Sequence, residues 1–217
     1  MPQLFPRKAN ALPAASLVAA LGGGLVLVAA VWYYFSPRFT DVGYMPEQPV
    51  PYSHALHAGQ LGMDCRYCHN HVEQSPHANV PSTQTCMNCH GVVATESAKL
   101  LPVRQSWATG VPVEWVNVHH IPDYAQFSHA AHVNVGVGCE SCHGRVDQME
   151  VVYQEEPLSM GWCLDCHRNP EEHLRDPALV TQMGYLEDMT EADVEANRQR
   201  VEAEGIRPPQ NCSACHY

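Results

Sequence analysis

Residues 127–143 read FSHAAHVNVGVGCESCH, and they hold two kinds of chemistry. The last five, Cys139 to His143, form C-x-x-C-H. Two thiols at that spacing add across the two vinyl groups of a haem, and the adjacent imidazole reaches the iron from one side. The first part carries His129 and His132 as H-x-x-H. Residues i and i+3 of a helix lie on neighbouring faces, so two imidazoles so spaced can serve two different irons. The stretch therefore supplies one haem and distal ligands for two.

The rest of the chain repeats this chemistry. All ten cysteines of the 217 residues fall into C-x-x-C pairs, each followed directly by histidine. The five sites, numbered here in chain order, are Cys65/Cys68/His69, Cys86/Cys89/His90, Cys139/Cys142/His143, Cys163/Cys166/His167 and Cys212/Cys215/His216. Zinc ribbons use such pairs in twos and need no histidine at the next position. Cysteines three apart are poorly placed to bridge one another, and a disulfide framework leaves the histidines unexplained. The reading is five covalently attached haem c groups, with the ten cysteines as attachment points and His69, His90, His143, His167 and His216 as proximal iron ligands. Covalent attachment also puts the folded domain on the membrane face where haem c is assembled, outside the cytoplasm.

The formal net charge is −11. Phosphate binding needs a basic face, so a nucleic-acid partner is excluded. The acidity reads either as solubility or as a docking field for a more basic redox partner.

Four segments follow from the composition. Residues 1–13, with Arg7 and Lys8, read as an N-terminal cytoplasmic segment. Residues 14–35 are uncharged and end in Trp32, Tyr33, Tyr34 and Phe35, which reads as a single transmembrane anchor with an aromatic band at the outer interface. The run is long for a cleavable signal peptide. Residues 36–51, with four prolines, read as an extended linker. Residues 52–217 read as the pentahaem domain, on the periplasmic face of the inner membrane.

That domain contains a duplication. Tyr52-Ser53-His54-Ala55-Leu56-His57 precedes the first two sites, and Phe127-Ser128-His129-Ala130-Ala131-His132 precedes the third and fourth. Two-haem modules near 52–90 and 127–167 result, with the fifth site at 212–216 outside the repeat. Each module carries two spare histidines for two irons, so His54, His57, His129 and His132 are the distal candidates. The fifth distal ligand is assigned to His119, with His120 as runner-up. Met149 and Met160 lie near haem sites and are alternative ligands; His71, His77 and His173 read as surface residues. A short helix is expected near Thr95–Leu101, and another over Thr190–Gly205 with Val194 and Val201 on its packed side. With so little chain per haem, the fold expected is a multihaem cytochrome c of short helices and loops packed around the haems. Irons closed on both sides by histidine pass electrons and bind no substrate, so no catalytic residue is expected.

The H-x-x-H and C-x-x-C-H combination resembles the small multihaem cytochromes of the c3/c7 type. The anchor, GMDCRYCH…VPSTQTCMNCH and HIPDYAQFSHAAHVNVGVGCESCHG…LSMGWCLDCHR together resemble the pentahaem cytochrome c subunit of alternative complex III, over most of residues 12–170. That resemblance implies electrons from membrane quinol, arriving through quinol-binding membrane subunits and an iron–sulfur subunit. They would leave to a monohaem cytochrome c or a terminal oxidase. A stand-alone membrane-anchored multihaem quinol dehydrogenase is the alternative reading. Resemblance to pentahaem nitrite reductases fails, because that family marks its open haem with lysine in place of the motif histidine.

Overall fold

A computed structural model of the chain describes residues 6–216. The first five residues of the expected N-terminal segment, and Tyr217, lie outside the described residues. The chain divides between Thr40 and Asp41 into two compact units.

The first unit is built on one helix, α1 (Leu12–Tyr34). Pro13 sits in its first turn, where a missing N–H costs nothing. Its 23 residues rise about 34 Å, enough for a hydrocarbon core of roughly 30 Å. None of its residues is buried. Leu, Val and Ala on every side leave no polar stripe, so by length and composition it is the one helix among the described residues able to cross a membrane. The chain then turns through Pro37–Thr40, where the Phe39 ring packs on Tyr34 at 4.5 Å.

The second unit has helices without strand ladders among the described residues; isolated antiparallel bridges join Ala125 to His216 and Val137 to Leu174. Its longer helices are α2 (Thr83–His90), α3 (Leu101–Thr109), α4 (His129–Asn134), α5 (Met160–Arg168) and α6 (Glu191–Glu204). Single helical turns cover Cys65–Cys68, Glu140–His143 and Cys212–Cys215.

Two expectations are corrected, and a third is borne out with an addition. The helix expected near Thr95–Leu101 forms one turn later: Ala98–Leu100 is a tight turn and α3 follows it. Pro102 opens that helix rather than ending it, and Gly110, at φ +74°, closes it. The segment expected as a linker at 36–51 is strapped to the domain from Asp41 onward. Gly43 donates to the Gln154 carbonyl (2.7 Å), Gln154 donates back to Tyr44 (3.1 Å), and the Gln48 amide pairs with both backbone groups of Val116. Finally, α6 begins and ends as its sequence predicts, with a Thr190/Asp193 capping box and Gly205 left-handed at the C-terminus. Val194 and Val201 lie half-buried on its packed side as expected, and polar anchors join them there. Asn197 is buried and donates to the Leu174 (2.6 Å) and Glu171 (3.1 Å) carbonyls, while Arg200 donates to the Arg175 and Val135 carbonyls.

Candidate functional site

The duplicated hexapeptide builds the same object twice. In the first copy the Tyr52 ring stacks on His57 (4.4 Å, 21°) and stands edge-on to His54 (4.7 Å, 83°). In the second, Phe127 stacks on His132 (4.7 Å, 27°) and stands edge-on to His129 (4.8 Å, 85°). The serine between aromatic and histidine caps the turn: Ser53 Oγ accepts from Leu56 N and Ser128 Oγ from Ala131 N. The serine carbonyl takes the Nδ1 proton of the second histidine, at 2.8 Å in both His57 and His132. One aromatic ring thus holds two imidazoles at right angles, which is why the motif needs aromatic, serine and two histidines in that order. The copies differ in backbone, since Ala55–Gln60 winds as a π-helix and α4 as an α-helix.

Three distal candidates face a motif histidine. His57 and His90 have ring centres 6.2 Å apart, His129 and His143 6.3 Å, and His132 and His167 6.0 Å. Metal–imidazole bonds of about 2.0–2.1 Å put two rings on opposite sides of one metal with centres roughly 6.3 Å apart. The three pairs meet that spacing. His54 lies close enough to His69 and His57 for their charges, after burial, to depress it to about 4.

Ring orientation agrees. A carbonyl oxygen can only accept, so a ring whose Nδ1 meets one carries its proton there and keeps the Nε2 lone pair for a metal. Nδ1 of His69 meets Asn79 O (2.7 Å), His90 meets Val93 O (3.0 Å), His129 meets Pro76 O (2.8 Å) and His167 meets Pro209 O (2.7 Å). Such outer partners fix the tautomer of a ligating histidine. Burial lowers His132, and lowers His143 to about 3 with His119 and His129 adding to it. Both rings are neutral near pH 7, as ligation requires. The cysteines are thiols, none disulfide-linked. This donor set fits haem c: paired thiols for thioether bonds, and opposed imidazoles with the equatorial plane left to a porphyrin. Haem would supply a one-electron iron couple there, with the paired thiols as its attachment points and the opposed imidazoles as donors to its iron.

His119 does not stand where the sequence assigns it. Its ring centre is 4.3 Å from that of His143, too close for a metal between them, and its Nε2 lies 3.2 Å from His143 Nδ1. The ring beside His216 is Tyr124, at 5.8 Å. His119 therefore stands against the third motif's histidine and not beside the fifth site. Burial, with His129, depresses it to about 4. His120 is exposed, its backbone N–H donating to the buried Gln154. Met149 is buried, its carbonyl accepting from Ala55, and Met160 is 64 % exposed. His71 and His77 are exposed, whereas His173 is half-buried.

A second group of site residues escaped the sequence reading. Glu140, inside the third motif, is buried and pairs with Arg175, which is fully buried (2.8 Å). Glu140 also accepts from the Gly184 and Leu186 N–H groups. Arg175 lies 4.4 Å over the Tyr185 ring and donates to the Gln182 carbonyl. This knot ties the third site to the C-terminal third of the chain. Gly136 and Gly138 make room for it. A Cβ on Gly136, at φ +92°, would stand 2.1 Å from the Arg175 carbonyl, and one on Gly138 would meet the guanidinium at 2.2 Å.

Comparison with known proteins agrees with this chemistry. Residues 125–217 match the family described as cytochrome c7 and related cytochrome c. The menaquinone reductase multihaem cytochrome c subunit of Nitratidesulfovibrio vulgaris is 31 % identical over 149 residues, covering 59 % of this chain and 70 % of that protein. A repeated two-histidine module, five C-x-x-C-H sites and these similarities lead to one conclusion: the chain belongs to the multihaem cytochrome c family.

Proposed function

We propose that this multihaem cytochrome is the electron-conducting subunit of a membrane quinol-oxidising complex of the alternative complex III type, and that it carries five haem c groups. The observation that carries the electron-transfer reading is the set of opposed imidazole pairs at 6.0–6.3 Å with their Nδ1 atoms tied back. Irons closed on both sides exchange electrons and leave substrate no place to bind. The distal ligands are His54, His57, His129 and His132, and the proximal ligands are the five motif histidines. The apolar helix is a retained anchor with the haem domain on the periplasmic side, supported by Arg7 and Lys8 before the span. Partners are an iron–sulfur subunit, quinol-binding membrane subunits and a downstream cytochrome c or oxidase.

The relative's name favours a second direction of flow, into menaquinone rather than out of quinol. The purified native complex separates the two when given quinol plus oxidised cytochrome c, or a reduced donor plus menaquinone. The haem reading is tested on the holoprotein alone. A pyridine haemochrome assay is expected to give five haems per chain, and EPR only low-spin signals at the four paired sites. Fewer than five haems, or a high-spin signal from a paired site, would overturn it.

A further inference from the structure

The sites are numbered by sequence, but the chain does not lay them out in that order. Sites 1 and 2 touch through residues inside their motifs: Asn88 of CMNCH donates to the Tyr67 hydroxyl of CRYCH at 3.2 Å. Tyr52 bridges the same two sites by packing on both His54 and His57. Site 1, not site 2, meets the second module. In site 3 the Cys139 backbone N–H donates to the Val180 carbonyl (2.9 Å), one residue before the Thr181 that binds site 1. The loop after site 1 receives α4: His129 and Ala130 donate their backbone N–H groups to Pro76 and Ser75, and Asn134 donates to Glu73. Asp64, which caps the first turn of site 1, accepts from Thr181 at 2.8 Å.

Beyond this junction the order follows the sequence. His129 faces His143 and His132 faces His167, so one helix holds sites 3 and 4 side by side. Site 5 comes back onto site 4: His167 Nδ1 donates to Pro209, and Gln210 donates to the His167 carbonyl.

We propose that the five sites stand in single file in the order 2, 1, 3, 4, 5, with the Cys86/Cys89 site and the Cys212/Cys215 site as the two ends where electrons enter and leave. The first module is thus reversed with respect to the second, and the two meet head to head at sites 1 and 3. Exposure agrees with the ends. Of the ten cysteines, Cys89 and Cys212 are the two exposed ones, one at each terminal site. This inference rests on the five-haem reading, which the haemochrome count tests separately.

Magnetic neighbours test the order in the holoprotein. His57→Met keeps site 2 covalently loaded and raises its potential, so it can be reduced while the other irons stay ferric. Reducing it is expected to narrow one other EPR signal, the one that His54→Met alters at site 1. In His54→Met, reducing site 1 is expected to narrow two signals, those of sites 2 and 3. If reducing site 2 instead narrows the signal that His129→Met alters at site 3, the order is wrong. Should a variant fail to load its haems, iron positions in the wild-type holoprotein decide: the iron nearest the Cys86/Cys89 iron is expected at Cys65/Cys68. Finding the Cys139/Cys142 iron there would overturn the proposal, even with five haems counted.

Discussion

The contact between His119 and His143 has a definite polarity. If His143 gives Nε2 to iron, its Nδ1 carries the proton, so it donates and His119 Nε2 accepts. The other proximal rings with a defined Nδ1 partner donate to backbone carbonyls, which no substitution removes; this one donates to a side chain. An outer acceptor makes a ligating imidazole more basic and favours the ferric state. Replacing His119 by alanine is therefore expected to raise the potential of one haem, that of site 3, and to leave the other four in place. A neutral hydrogen bond of about 1 kcal/mol sets the ceiling, which for a one-electron couple is roughly 40 mV. His119→Gln, whose amide oxygen still accepts, should restore most of the loss. Redox titration followed by EPR checks this. A change confined to the Cys212/Cys215 haem would instead return His119 to the distal role its sequence position suggests.

Among the elements, the turn between α4 and the third motif carries the tightest demand. Gly136 combines a left-handed φ with a backbone oxygen where its Cβ would go. Gly136→Ala is expected to destabilise the holoprotein by on the order of 3 kcal/mol, read as a lowered midpoint in thermal unfolding followed by Soret circular dichroism. Gly161→Ala, in α5, meets nothing within 4 Å and should move the midpoint little. This contrast also marks what the sequence could say. The aromatic-Ser-His-x-x-His motif was legible because ring stacking and capping both depend on fixed local spacing. The purpose of Gly136 and Gly138 was not, since the arginine they admit lies nearly 40 positions away. Nor were the polar anchors of α6 legible, although its packed side was. Asn197 and Arg200 reach backbone carbonyls, and such bonds leave no hydrophobic period to read.

For the whole molecule, the duplication was legible but not how its two copies meet, because a duplicated unit is the same sequence in either orientation. The sequence did foretell the thinness of the protein core. Among the described residues the buried hydrophobic side chains are Val50, Val103, Val133, Met149, Leu174 and Val180. The most deeply buried groups include polar ones, Arg175 and Gln154, which hold the chain to itself by hydrogen bonds. Hydrogen bonds exchanged with water contribute little net stability each, while ordering every residue of the domain costs backbone entropy. So few apolar side chains cannot offset that cost alone, and the thioether and iron bonds must act as staples do in small scaffolds. A chain with all ten cysteines changed to serine is therefore expected to lack a cooperative unfolding transition beyond Asp41. It should show little helical signal in far-ultraviolet circular dichroism, and a protease should cut it at the sites 52–217 that it spares in the holoprotein. Residues 14–35, whose helix depends on lipid and not on haem, should still partition into membranes. A serine variant that unfolds cooperatively near the holoprotein's midpoint would mean that the polar knot around Glu140 and Arg175, and not the haems, holds the domain together.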